Sequence, residues 1–418
     1  MKTQVAIIGG GPGGNTLAIE LKKFGIESVI LEKEQFPRFH IGESMTGECG
    51  ASVRALEVTD KMELNRHPIK WGTMVYGAKG INKYYIPVMQ RDKNNKLLKQ
   101  QTWQVRRSEF DEMLNDVAKT SGIKSINARV MDVIQEKNGY LRGLVYNENG
   151  KEKKLHADLF ADCSGQNTFF ASCGITGKKE KGRYCKQIAI FSHFKGCVRP
   201  VAGDEEEELM PDDTLIFYAK KNHWAWFIPI DNEIVSIGVV TPSAYFKSTG
   251  ETREEFLLRE MQTLNIKLGE RVQNAEMVEK VHACSNYSYH IKQFTGKNWL
   301  CIGDSHRFID PIFSLGLHFA MAEGRKAAEY FHDYLAGKLS DLDAPFASYQ
   351  QECESGMDAI QTLLDAFWDY PLAFSLYTKD KRYRDDLIDL FAGRVYDKNP
   401  SAGLVALRNL NRGIIGSA

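Results

Sequence analysis

Two kinds of apolar pattern run along this chain. Short uninterrupted runs such as Val5–Ile8, Val29–Leu31, Leu159–Ala161 and Trp299–Ile302 suit strands covered on both faces, as in a parallel sheet. Segments in the middle instead alternate with period two: "WGTMVYGAK", "CKQIAIFSHFKG", "DTLIFYAKK", "HWAWFIPI" and "EIVSIGVV". These predict an antiparallel sheet with one solvated face. Helical spacing marks "NTLAIELKKFG", which stops at Gly25, and "TREEFLLREMQTLN", with Thr252 as its N-cap. Residues 331 to 418 read as a helical tail rich in aromatics, Phe367, Trp368, Tyr370, Phe374 and Tyr377 among them. Helices packing on the body of the protein account for that stretch; a wall over a substrate tunnel is the other reading.

The first run ends in a knot of glycine. Gly9, Gly11 and Gly14 have the G-x-G-x-x-G spacing, with a helix after them and a second strand ending at Glu32. The first glycine makes the tight turn, the second lets a pyrophosphate approach the backbone, and the third lets helix and strand pack closely. Open N–H groups at the helix start favour phosphate, and Glu32 stands where an acid can bond ribose hydroxyls. A dinucleotide is implied; FAD and NAD both remain open at this point.

Further segments carry the rest of such a site. "EKEQFPRFHIGESMTG" follows the second strand and contains Arg38, Glu43 and Ser44. "VRRSEFD" places Arg107 at the start of an amphipathic helix, and "ADCSGQN" ends a strand in Asp162, with Gly165 just beyond it. "WLCIGDSHRFIDPIFSLG" ends a strand near Asp304, fixes a loop with Pro311, and passes Ser314 and Gly316 into a helix whose N–H groups can face an anion. This order resembles the flavoproteins of p-hydroxybenzoate hydroxylase fold over about residues 1 to 330. The resemblance implies FAD, and within that fold "FPRxxIGES" is shared by the flavin-dependent halogenases and the geranylgeranyl reductase-like enzymes.

Three features resemble the halogenases. Trp224, Trp226, Ile228 and Pro229 match W-x-W-x-I-P; a strand with large alternating side chains is the plainer reading. Lys70 in "RHPIKWGTMVYG" stands where the family's lysine stands, although alone it is one lysine among many at strand edges. Phe308, Pro311, Ser314 and Gly316 match F-x-x-P-x-x-S-x-G. What the family implies is that reduced FAD, O2 and chloride or bromide give hypohalous acid, which meets Lys70 and then an electron-rich aromatic or carrier-bound substrate. It also implies that the tryptophans keep substrate off the flavin. No second G-x-G-x-x-G appears, so reduced flavin is expected from a separate flavin reductase.

The fold expected is α/β: a Rossmann-like FAD domain from 1–70, 100–175 and 280–330, an inserted β-sheet substrate domain from 71–99 and 176–279, and a helical region at 331–418. Two alternatives stay open. One is an FAD-dependent dehydrogenase or reductase of the geranylgeranyl reductase type, and the other is a non-catalytic flavin redox carrier. Lysine plus arginine equals aspartate plus glutamate at 54 each, which argues against a nucleic-acid partner. The acidic run Asp204–Glu208 reads as a solvated loop. No stretch reaches a membrane span, the histidines lack metal-ligand spacing, and eight scattered cysteines without a CxxC pair read as free thiols, so a cytoplasmic protein without metal is expected.

Overall fold

The computed structural model describes residues 1–80, 82–203, 208–285, 287–339, 341–396 and 399–413. Most of the acidic run, Asp204–Glu207, lies outside these described residues. The uninterrupted apolar runs form the core of a seven-stranded sheet. Lys2–Ile8 pairs in parallel with Lys151–Asp162 on one side and Ser28–Glu32 on the other. Lys124–Asn127 and Trp299–Cys301 extend the parallel part, and Arg129–Gln135 and Leu141–Glu148 continue it antiparallel. The glycine turn feeds the helix Pro12–Lys23, which packs on the long helix Gly316–Leu335. Their approach is close because Gly324 sits against the Gly13 carbonyl, where a Cβ would come to 2.8 Å of the oxygen.

The alternating segments build an eight-stranded sheet, in which Val235–Pro242 lies between Gln187–Lys195 and His223–Pro229. One pairing departs from the antiparallel expectation: Thr214–Lys220 runs parallel to Gly72–Tyr76. The expected solvated face is also absent. Every residue of His223–Pro229 is buried. On one face Trp224, Trp226 and Ile228 join Phe367, Trp368 and Phe374 of the C-terminal helices. On the other, Ala225 and Phe227 join Phe256, Leu257 and Met261 of the helix Arg253–Thr263. That helix starts where the sequence predicts, in a capping box between Thr252 and Glu255. Both faces alternate as read, and both are covered.

A smaller arrangement sets up the chemistry. The two-residue strand Ile69–Lys70 pairs with Thr102–Trp103. The same extended segment continues to bond residues 43–45 on its other edge: Met45 N–H donates to the Trp103 carbonyl at 3.1 Å and Val105 N–H to the Glu43 carbonyl at 2.7 Å. Residues 102–105 are thus a spine between Lys70 and Ser44. Among the described residues no helix is long and apolar enough to cross a membrane. All eight cysteines are free.

The close packing of the eight-stranded sheet is testable at Gly238, where a Cβ would overlap the indole ring of Trp226 and crowd Phe191. Gly238→Ala is expected to lower stability by about 1–3 kcal/mol in urea unfolding, with a changed near-ultraviolet dichroism signal from the displaced indole.

Candidate functional site

A cavity of about 740 Å³ opens between the two sheets. That is within the usual range for a cofactor site. One end is the glycine turn. Gly9 has φ +98° and backs onto the Cys163 carbonyl, a conformation and a closeness that only glycine tolerates. Gly11 faces the cavity, with only the tip of Arg38 within 4 Å of a Cβ placed there. The helix after it has no side-chain cap, so its first N–H groups are open to an anion. Gly14 lies behind the turn, where any Cβ would overlap the Gly9 carbonyl. Glu32 reaches the cavity too, but its two oxygens already accept from Gly10 N–H at 2.7 Å and Glu34 N–H at 2.8 Å.

The "FPRFHIGES" segment crosses the cavity and is clamped from below. Arg107 bonds both oxygens of Asp111 and donates to the carbonyls of Ile41 and Gly42. Arg38 adds an ion pair to Asp111 at 3.1 Å. Burial pushes the Asp111 carboxyl up, but these two guanidinium groups outweigh it and hold it below the usual carboxylate range. Glu43 accepts from or donates to His193 at 2.7 Å with one oxygen; its other is buried and unpartnered. Gly165 and Asp304 also line the cavity, whereas Asp162 does not: its carboxylate caps Ser164 N–H and Phe170 N–H beneath the loop.

At the far end the loop Pro311–Phe313 passes through Ser314, whose φ of +59° turns the chain into the helix at Gly316. Space around Gly316 is open, and that helix has no side-chain cap either. Burial raises Asp304 and Asp310 to about 7. Asp310 keeps one buried oxygen unpartnered, and so does the indole N–H of Trp224, whereas Trp226 donates to Ser236 at 3.1 Å. A cavity with an uncapped helix start at each end and several unpaired polar atoms along it fits FAD; Gly9, Gly11 and Arg38 could hold the phosphates, Asp304 the ribityl chain, and Pro311 to Gly316 the ring.

Lys70 lies outside this cavity and lines a second of about 30 Å³, with Phe313, Phe391, Ile86 and Val88. Ile216, Ile312 and Ser314 belong to both, so they form the wall between the two spaces. Lys70 is 3 % exposed, and its amine donates to Ser44 Oγ at 2.9 Å and to the Met45 carbonyl at 3.1 Å. Burial pulls it down to about 8, against the opposing influence of Asp213 and Cys49. Sequence reasoning missed Asp213. Its carboxylate accepts from the N–H groups of Trp71, Gly72 and Met210 and from Tyr85 OH, pinning the chain just after the lysine. Gln104 and Thr214 were missed as well; their only sequence signal is a polar residue flanking a buried strand.

The tryptophan halogenase family profile matches residues 4–86 and 78–372. The 1H-pyrrole-2-carbonyl-[peptidyl-carrier protein] brominase of Pseudoalteromonas luteoviolacea is 36% identical over 94% of this chain and 92% of its own. The corresponding chlorinase of Pseudomonas fluorescens is 29% identical over 94% of this chain and 89% of its own. The solved structure of the flavin-dependent brominase Bmp2 superposes with a TM-score of 0.91 at 35% identity, covering 99% of each chain.

The buried aspartates predict a pH effect on the flavin-free protein. Each carboxyl titrates near 7 when folded, against an ordinary value of 3.8. Between these values the folded state holds more protons, so stability falls as pH rises through the window. The double variant Asp304→Asn, Asp310→Asn is expected to flatten that decline, read as unfolding midpoints from pH 4 to 7.5.

Proposed function

The chain belongs to the flavin-dependent halogenases and is an FAD-dependent halogenating enzyme, and on that premise we propose that it halogenates a pyrrole ring held as a thioester on a carrier protein, with Lys70 presenting the halogen. The observation that carries the role of Lys70 is its place: a buried lysine on a small apolar cavity, separated from the flavin-sized one only by Ile216, Ile312 and Ser314. Full-length similarity to two pyrrole-carbonyl carrier-protein halogenases supports the substrate class. Bound FAD, once reduced, supplies hypohalous acid from O2 and halide. The residues of this chain do the rest. Gly9, Gly11 and Gly14 shape the phosphate end, and Arg107 and Arg38 hold the segment bearing Glu43 and Ser44 in place. Gly316, at the uncapped start of its helix, offers an open N–H to a halide beside Ser314, whose own N–H is taken by the Pro311 carbonyl, and Trp224 and Trp226 close the sheet side so that a ring cannot touch the flavin.

A buried amine suits this task because desolvation keeps part of it neutral and nucleophilic. With Lys70 titrating near 8, about a tenth is neutral at pH 7. The segments 1–70, 100–175 and 280–330 hold the flavin in this reading, and the inserted sheet and C-terminal helices shape the ring's side. Reduced flavin comes from a separate reductase, and the eight free thiols suit a reducing cytoplasm.

Lys70→Ala is expected to abolish halogenated product while reduced flavin is still oxidised; product at the native level in that variant would end the proposed role. In the native enzyme, product per flavin oxidised is expected to rise with pH through about 8 as the amine loses its proton. The substrate class is tested by mass spectrometry with reduced FAD, O2 and bromide or chloride. The pyrrole thioester on its carrier should gain halogen at least tenfold faster than free pyrrole-2-carboxylate, phenols or tryptophan; equal rates with the free acid would exclude the carrier.

A further inference from the structure

Resting on that reading of Lys70, we propose that Ser44, paired with Thr214, is the proton relay between the Lys70 amine and the hypohalous acid that reaches it. The hydrogen-bond accounting is closed. Gln104 Nε2 donates to the Asp212 carbonyl at 3.0 Å and to Thr214 Oγ1 at 2.9 Å. A carbonyl can only accept, so the orientation of the amide is fixed and Thr214 is an acceptor from it. Lys70 Nζ lies 2.9 Å from Ser44 Oγ, and Ser44 Oγ lies 2.9 Å from Thr214 Oγ1. Ser44 and Thr214 thus bring two hydroxyl hydrogens to one mutual bond. Among the described residues the second hydrogen has no acceptor within hydrogen-bond distance, and both residues line the large cavity. A hydroxyl donor therefore faces the flavin side, coupled through one oxygen to the amine on the other. Ser44 is 3 % exposed, Thr214 1 % and Gln104 fully buried, so bulk water does not compete for the path.

The step balances. The lone pair of neutral Lys70 attacks the halogen of hypohalous acid; the N–halogen bond forms as the halogen–oxygen bond breaks. The departing hydroxide takes the hydroxyl proton facing it and becomes water. Ser44 Oγ recovers a proton from Lys70 Nζ, leaving a neutral haloamine. The halogen stays electrophilic throughout, and no further oxidant is needed. Ser44 is suited to this because the spine at residues 102–105 pins it and Lys70 from opposite edges.

The test is a competition. Full-length enzyme turns over with reduced FAD, O2, bromide and a diffusible dione that traps escaped hypohalous acid, in H2O and in D2O. The ratio of ring product to trapped halogen reports capture by Lys70 whatever step limits turnover. Ser44→Ala is expected to lower that ratio about 10²-fold, the usual scale of a lost proton-transfer group, and to remove its sensitivity to D2O; Ser44→Thr should restore most of both. A ratio unchanged in Ser44→Ala overturns the relay, and so does a lowered ratio that keeps the native D2O effect, which is the signature of a purely positioning role. If Ser44→Ala loses FAD, Thr214→Val carries the test: a fall of about tenfold supports the relay and no fall overturns it. A readout independent of turnover is carbamylation of Lys70 by cyanate against pH in the flavin-free chain, followed by peptide mass spectrometry. Loss of the Ser44 acceptor should lower the apparent titration point of Lys70, and no change overturns the coupling. Lys70→Ala separates the two readings. If it still forms product, the role of Lys70 fails; if it is inactive while Ser44→Ala behaves as native, only the relay fails.

Discussion

An ammonium group taken out of water must be held by acceptors on every side that does not face its target, and that requirement organises this molecule around Lys70. The desolvation of a cation in a protein interior is worth several kcal/mol unless hydrogen bonds replace the water. Here the hydrogen bonds come from Ser44 and Met45, and the charge of Asp213, far along the chain at the start of the strand Thr214–Lys220, favours the cation from a distance while its carboxylate holds the backbone of Trp71 and Gly72. The short segment 102–105 makes this possible by pairing with both the lysine strand and residues 43–45. Moving either sheet relative to the other would break that set of contacts, so the cavity for the cofactor and the seat of the lysine are fixed together.

The rest of the architecture serves the dryness of that region. The inner face of the eight-stranded sheet, the loop Pro311–Phe313 and the C-terminal helices share one hydrophobic cluster that includes Trp224, Phe313, Phe367 and Phe391. The tail therefore belongs to the enclosure of the small cavity as much as to the stability of the fold. Its aromatic rings meet mostly edge to face, as in Phe313 against Phe367 and against Phe391. That geometry leaves little room beside the amine.

How much of this is legible in the sequence follows from range. The parallel core is readable because burial on both faces erases alternation, and Val5 to Ile8 carries that signature within four residues. The second sheet is readable as strands but not as to its covering. Its far face is closed by Phe256 and Leu257, on a helix that comes later in the chain, and a periodic pattern does not say what will cover it. The glycines and Lys70 stand out through local spacing and flanking residues. Asp213 and Thr214 do not, because their meaning depends on contacts across 142 and 170 positions respectively. A buried polar residue is informative only once its partner is in place.

The partition of Ile216, Ile312 and Ser314 has a consequence for traffic. On the reading proposed above, the oxidant would be made on one side of these three side chains and used on the other. A flavin ring is far too large for the space of about 30 Å³ beside the lysine, so cofactor and amine stay apart. The partition would then act as a molecular sieve, and a side chain trimmed from it would change which molecules meet before it changed how fast any of them react.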